Sequence, residues 1–108
     1  TEGQRGMVMT TIEQGDFLRI DGIPHPVLVV SNNFFNQSGK VIACPILQHT
    51  VPGPLHIEVK NSEVTGYVLC EQVRYLDLSS RRFSKLTSTH YFDIMDISDA
   101  VTSMFEYQ

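Results

Sequence analysis

Apolar residues in this chain come in short bursts separated by turn-forming residues. Residues 27–30 are one four-residue apolar run and residues 41–44 are a second. Each is too short for a helix and rich in β-branched side chains, so each predicts a strand buried on both faces. Pro26 opens the first strand, where a missing N–H does least harm, and Pro45 closes the second. The polar insert between them carries Phe34 and Phe35. A tight hairpin needs only a two-residue turn. This longer connection predicts a half-turn of helix whose aromatics cap the open end of a barrel.

The same pattern continues on both sides. Gly15-Asp16 leads into a strand through Ile20, and Asp21-Gly22 is a turn. Pro24 and Pro26 hold the residues before them extended, so the next strand, 26–31, follows a short loop. Residues 48–54 form a loop bracketed by prolines. Leu55, Ile57 and Val59 alternate with His56 and Glu58, which predicts a half-exposed strand. Residues 66–70, 72–76 and 83–86 are further strand-like runs, with a polar loop at 77–82. The period then changes. Tyr91, Ile94, Ile97, Val101, Met104 and Phe105 recur at spacings of three and four, with Asp93, Asp96, Asp99 and Glu106 opposite them. This predicts an amphipathic helix of about four turns, with Ser88 or Thr89 as its N-cap. Residues 1–13 are a tail, or an edge strand over 7–12. Residues 14–108 form one domain, mainly β, with six or seven strands and a C-terminal helix.

Composition narrows the class. The 108 residues suffice for one core, and 42% hydrophobic with 19% charged is ordinary for a globular domain. No apolar run approaches the roughly 20 residues of a membrane span. With no signal-peptide pattern at the start, a cytoplasmic protein without membrane contact is expected. Cys44 and Cys70 sit in apolar contexts as buried, unpaired thiols, and two cysteines alone make no zinc signature. No metal or cofactor is expected. The net charge of −4 is concentrated in the tail: residues 86–108 hold Asp93, Asp96, Asp99 and Glu106 without a base. Such a chain does not hold long nucleic acid by charge alone, but a cleft with a few placed cations is compatible with it.

An ordered set of segments carries a resemblance. Gly15-Asp16-Phe17-Leu18, the stretch from His25-Pro26 through Ser31-Asn32-Asn33-Phe34-Phe35-Asn36, Val41-Ile42-Ala43-Cys44-Pro45-Ile46, and Leu69-Cys70-Glu71-Gln72-Val73-Arg74-Tyr75-Leu76-Asp77 resemble the MazF/PemK/Kid family of toxins. The resemblance covers about residues 14–106. It implies an SH3-like barrel that forms a homodimer. It also implies metal-independent cleavage of single-stranded RNA, controlled by a partner antitoxin threaded along the dimer.

That reaction needs three parts. A base takes the ribose 2′-OH proton, an acid protonates the leaving 5′-oxygen, and a cation stabilises the charged phosphorane. His25 stands where the family carries an Arg before Pro. Its reference pKa of about 6.5 suits an acid or base, but it lacks the fixed charge and fork of Arg. Glu71 stands where some members carry an acid-base carboxylate. The resemblance thus makes His25 and Glu71 the catalytic pair, and Arg19, Arg74, Asn32 and His49 the RNA-binding residues. Leu47 replaces a family hydroxyl, Leu69 replaces a basic residue of some members, and the loop 21–25 is short where relatives have a long one.

Plainer readings stay open for each residue. His25 is otherwise a loop histidine at a strand entrance. Glu71 is otherwise a surface carboxylate paired with Arg74 or Arg19, and those arginines then serve structural ion pairs. Asn32 and Asn36 hold a turn, His49 is a surface loop residue, His56 faces solvent or a dimer contact, and His90 neighbours the helix cap. Arg81-Arg82 is a solvated pair. Two functions follow: an endoribonuclease toxin with altered chemistry, or the same barrel as a non-catalytic module for an antitoxin-like peptide or another target. The related CcdB-type gyrase poisons end in a Trp-containing tail, and this chain has no Trp.

Overall fold

The computed structural model describes residues 11–105, apart from the side chain of Phe92. Seven strands form one antiparallel sheet: β1 (Asp16–Ile20), β2 (Val27–Val29), β3 (Lys40–Leu47), β4 (His56–Lys60), β5 (Thr65–Leu69), β6 (Arg74–Asp77) and β7 (Phe83–Ser88). A short helix, α1 (Asn33–Asn36), joins β2 to β3, a 3₁₀ turn (Leu78–Ser80) follows β6, and α2 (Tyr91–Ser103) ends the described chain. The strand order is β4-β5-β3-β2-β1-β7, with β6 paired to β3 beside this path. The mainly β architecture with its C-terminal helix is therefore as expected, but the sheet does not close into a barrel. β4 and β7 end the order as edges.

β3 organises the sheet. One of its edges pairs with β2. Its other edge is shared: Lys40–Ala43 pair with β6, and Ile46 and Leu47 pair with β5. Pro45 was expected to end this strand, yet β3 runs on to Leu47. The geometry explains the tolerance. Ile46 donates its N–H to Pro26 on the β2 side. N–H directions alternate along a strand, so the donor that Pro45 lacks belongs to the opposite edge. That edge is unoccupied at residue 45, between the last pair with β6 and the first with β5.

Alternation splits the core across the sheet. One face gathers Phe17, Leu28, Cys44, Ile46, Val59, Val68 and Cys70, closed over by Ile94 and Ile97 of α2. The other gathers Leu18, Ile20, Val27, Val29, Val41, Ala43, Leu76 and Leu78, packed by Ile12 and Phe83. This second layer covers β1, β2, β6 and the first half of β3. It contains no residue of β4 or β5.

Several local expectations need correction. α2 is capped by His90, without a side-chain cap bond, rather than by Ser88 or Thr89. Ser88 is occupied elsewhere, donating Oγ–H to the buried Asp16 carboxylate at 2.8 Å. Thr89 donates its N–H to the Gly15 carbonyl, which keeps it in line with the sheet. The buried stripe of α2 is also narrower than its sequence pattern, because Tyr91 and Phe105 are exposed. The half-turn of helix in the insert is present, held by Asn32 Oδ1 accepting from the Phe35 N–H at 2.9 Å. Among the described residues, however, its aromatics cap no barrel end: Phe34 is 83% exposed and Phe35 is also exposed. The expected edge strand over 7–12 lies mostly outside the described residues, and residues 11 and 12 are in no strand.

Candidate functional site

Where the second core layer stops, the sheet presents polar side chains. On β4, His56 shares a face with Glu58, and cross-strand pairing sets these opposite Leu69 and Tyr67 of β5. Leu47 of β3 pairs with Tyr67 and extends the same face. Gly66 lets the two strands meet closely here. A Cβ at that position would lie 2.7 Å from the Leu47 carbonyl oxygen.

The strongest polar cluster on this surface is His56 with Glu71. The imidazole Nε2 lies 2.9 Å from Glu71 Oε2. Nδ1 lies 2.5 Å from the Val51 carbonyl oxygen and 3.4 Å from Thr50 Oγ1. Both ring nitrogens thus face oxygen acceptors, and satisfying both requires the doubly protonated ring. The Glu71 carboxylate first, then the Val51 carbonyl, hold the ring's pKa above its ordinary value. In return, the His56 bond holds Glu71 below the usual carboxylate range. Glu71 follows the buried Leu69 and Cys70, which anchor its turn. Desolvation pushes the Cys44 thiol up to about 12, helped by Cys70 and Glu71. It pushes Cys70 up to about 11, helped by Glu71. Both thiols are free and buried.

A second feature lies at the end of the sheet. A cleft of about 320 Å³ is lined by Arg19, His25, Leu47 and Glu63, among others. His25 is half-buried, with Nδ1 3.2 Å from the Pro26 carbonyl oxygen. An imidazole, a guanidinium and a carboxylate therefore meet in one concave space. Glu63 was not singled out by sequence. It sits in the turn before β5, and it lines the same cleft as His25 only in the folded chain.

The remaining expected residues are dispersed. Arg74 is exposed at the start of β6, opposite Ala43. Among the described residues, neither Arg19 nor Arg74 makes an ion pair, and Glu71 takes His56 rather than either arginine. His49 lines a neighbouring hollow with Glu58 and Tyr67. Asn32 is engaged in capping α1. Asn36 is buried, donating to the Ser31 carbonyl at 3.0 Å and accepting from Ser31 Oγ–H at 2.5 Å. His25 and Glu71 share no hydrogen bond or ion pair among the described residues. His25 belongs to the sheet-end cleft and Glu71 to the His56 cluster. Leu47 offers the cleft an apolar wall, and Leu69 is buried. No group of three His, Cys, Asp or Glu among the described residues could hold a metal ion.

Comparison with known proteins gives a consistent result. The family described as PemK-like, MazF-like toxins of type II toxin-antitoxin systems matches residues 10–105. No curated protein sequence matches. Among solved structures, the MazE-MazF complex of Deinococcus radiodurans has a chain superposing with a TM-score of 0.81 at 23% identity, covering 89% of this chain and 97% of that one. An endoribonuclease from a Mycobacterial species gives 0.76 at 23% identity, covering 89% and 92%. Another Mycobacterial endoribonuclease, in complex with its cognate antitoxin, gives 0.76 at 21% identity, covering 90% and 99%. At these identities the superpositions establish the fold.

Proposed function

The chain belongs to the PemK-like, MazF-like toxins of type II toxin-antitoxin systems, and on that premise we propose that it is an endoribonuclease. Its substrate is single-stranded RNA, cleaved without metal to 2′,3′-cyclic phosphate and 5′-OH ends. The observation that carries this reading is the sheet-end cleft, where Arg19, His25 and Glu63 supply a cation, an imidazole and a carboxylate together. His25 protonates the leaving 5′-oxygen. Glu63, which lines the same cleft, takes the 2′-OH proton. Arg19 receives phosphate charge in the cleft, while Arg74, Asn32 and His49, which lie outside it, contact the strand away from the scissile phosphate. A second assignment keeps Glu71 as the base, its carboxylate held toward the ionised form by His56, and requires the bound RNA to bring the His56 cluster and the cleft to one phosphate.

The partners follow from the same premise. MazF-like structures occur in complex with antitoxin, and an antitoxin protein is the expected regulator of this chain in the cytoplasm. No helix among the described residues is long and apolar enough to cross a membrane. The exposed apolar side chains of Phe34, Tyr75 and Met95 support a homodimer, testable by light scattering.

The decisive experiment incubates purified protein with mixed-sequence single-stranded RNA in chelator. Fragments with cyclic phosphate ends, lost in His25→Ala, are expected. Comparing Glu71→Gln with Glu63→Gln assigns the base. Intact RNA at micromolar protein overturns the enzyme reading and leaves a protein-binding module, consistent with the apolar Leu47 in the cleft.

A further inference from the structure

We propose that His56 is the positioning residue of Glu71, a two-sided clamp that fixes the carboxylate by joining the loop before β4 to the turn after β5. The inference rests on the ribonuclease reading, in its second assignment, for its catalytic consequence, and on geometry alone for the clamp. Nothing in the sequence pattern singles out His56: it is one polar position of an alternating strand.

The clamp has two rigid jaws. On one side, residues 48–55 contain Pro52 and Pro54, which fix their own backbone angles. The loop is tied down where His56 donates its N–H to the Gly53 carbonyl at 3.1 Å and Cys70 donates to the Leu55 carbonyl at 2.8 Å. The Val51 carbonyl is therefore a fixed acceptor for the ring. On the other side, Gln72 donates its N–H to the Leu69 carbonyl at 3.1 Å, closing the turn that carries Glu71. The imidazole spans these jaws, with one ring nitrogen within hydrogen-bond distance of each. An isolated surface ion pair costs side-chain entropy for little gain. Here the ring side chain is only 17% exposed and held from both ends, so it is already ordered.

Two consequences bear on chemistry. First, the bond to His56 engages Oε2 of Glu71, and the Glu71 backbone and the Gln72 side chain also donate to the carboxylate, so the group is held from several sides while its remaining lone pairs can accept a substrate hydroxyl. Second, the adjacent positive ring keeps Glu71 ionised to lower pH than a free carboxylate. The other titratable groups placed beside this pair are Glu58 on the same strand, Tyr67 opposite it on β5, and the thiols of Cys70 and Cys44, which burial foremost and Glu71 as well push up; His49 lines the adjoining hollow with Glu58 and Tyr67. The thiols remain neutral through the range of interest.

The test has two readouts on the intact chain. Nitrogen NMR of the imidazole is expected to show a His56 titration displaced downward in Glu71→Gln relative to the wild type. A His56 titration unchanged by Glu71→Gln overturns the clamp, whatever the protein does to RNA. In cleavage assays, His56→Gln is expected to lower kcat about tenfold or more, the scale of one lost charge-assisted hydrogen bond, with KM little changed. The acid limb of its pH profile is expected to move to higher pH. A merely structural role would leave that limb in place. Cleavage by His56→Gln with wild-type kcat and acid limb overturns the positioning role while the ribonuclease reading survives. Absence of cleavage by the wild type overturns both the enzyme and the positioning role, and the titration still decides the clamp. Should His56→Gln fold poorly, Thr50→Val and Glu71→Gln probe the same cluster from its two sides.

Discussion

The two faces of the sheet are built from the same strands and do different work. The face under α2 is sealed: Ile94 and Ile97 lie on Phe17, Leu28, Cys44, Ile46 and Val68. The opposite face is sealed only over β1, β2, β6 and the first half of β3. Over β4 and β5 it is left to His56, Glu58 and Tyr67. The difference teaches that apolar packing in this chain is nearly complete on one side, and that polar chemistry is collected where the second layer ends.

Substitutions should separate the faces by size of effect. Ile97 is fully buried against the sheet, so Ile97→Ala is expected to cost about 3–4 kcal/mol through lost burial and a residual cavity, seen as a fall in the urea midpoint. A loss below about 1 kcal/mol would show that α2 is not what seals this face. Gly66→Ala is next, at about 2 kcal/mol, since its Cβ would meet the Leu47 carbonyl backbone. That variant should damage the open face locally, weakening RNA cleavage as well as the fold.

The His56–Glu71 pair should contribute less, with a defined pH dependence. A raised histidine stabilises fully below its unfolded pKa, and that contribution is lost as pH rises through the folded value. A lowered carboxylate stabilises above its unfolded pKa, and that contribution is lost as pH falls through the folded value. A double-mutant cycle with His56→Gln and Glu71→Gln should therefore show its greatest coupling between about pH 5 and 6.5, fading toward both extremes. A coupling flat across pH would remove the ion pair from the account. The smallest effect belongs to Phe34→Ser. With the ring 83% exposed, chain stability should change by no more than about 0.5 kcal/mol, while self-association measured by light scattering should weaken.

Much of the architecture can be read directly from the residues. The β-branched runs of β2 and β3, the alternation of β4 and the three-four spacing of α2 each reflect a local periodicity that survives tertiary packing. The short helix after β2 was legible because the insert is longer than a tight turn and carries two aromatics, whereas the cap that holds it, Asn32, was not singled out as one. What depended on distant partners was not legible. The claim of Asp16 on Ser88 diverted a natural helix cap. The pairing of His56 with Glu71 spans 15 positions, and it arises from strand register together with the return of the loop at Val51. Glu63 had no distinguishing neighbour in sequence. Closure of the sheet was an inference from family likeness, and the strand order leaves two edges instead.

Pro45 has a consequence beyond its own strand. Were an ordinary residue in its place, the donor there would invite β5 and β6 to fuse into one continuous partner for β3. A proline offers no such bond, and beside it the chain leaves the ladder between the end of β5 and the start of β6. That bend spans residues 70–73 and contains Glu71. The absent hydrogen on Pro45 is thus matched to the gap in the ladder from which the carboxylate leaves the sheet.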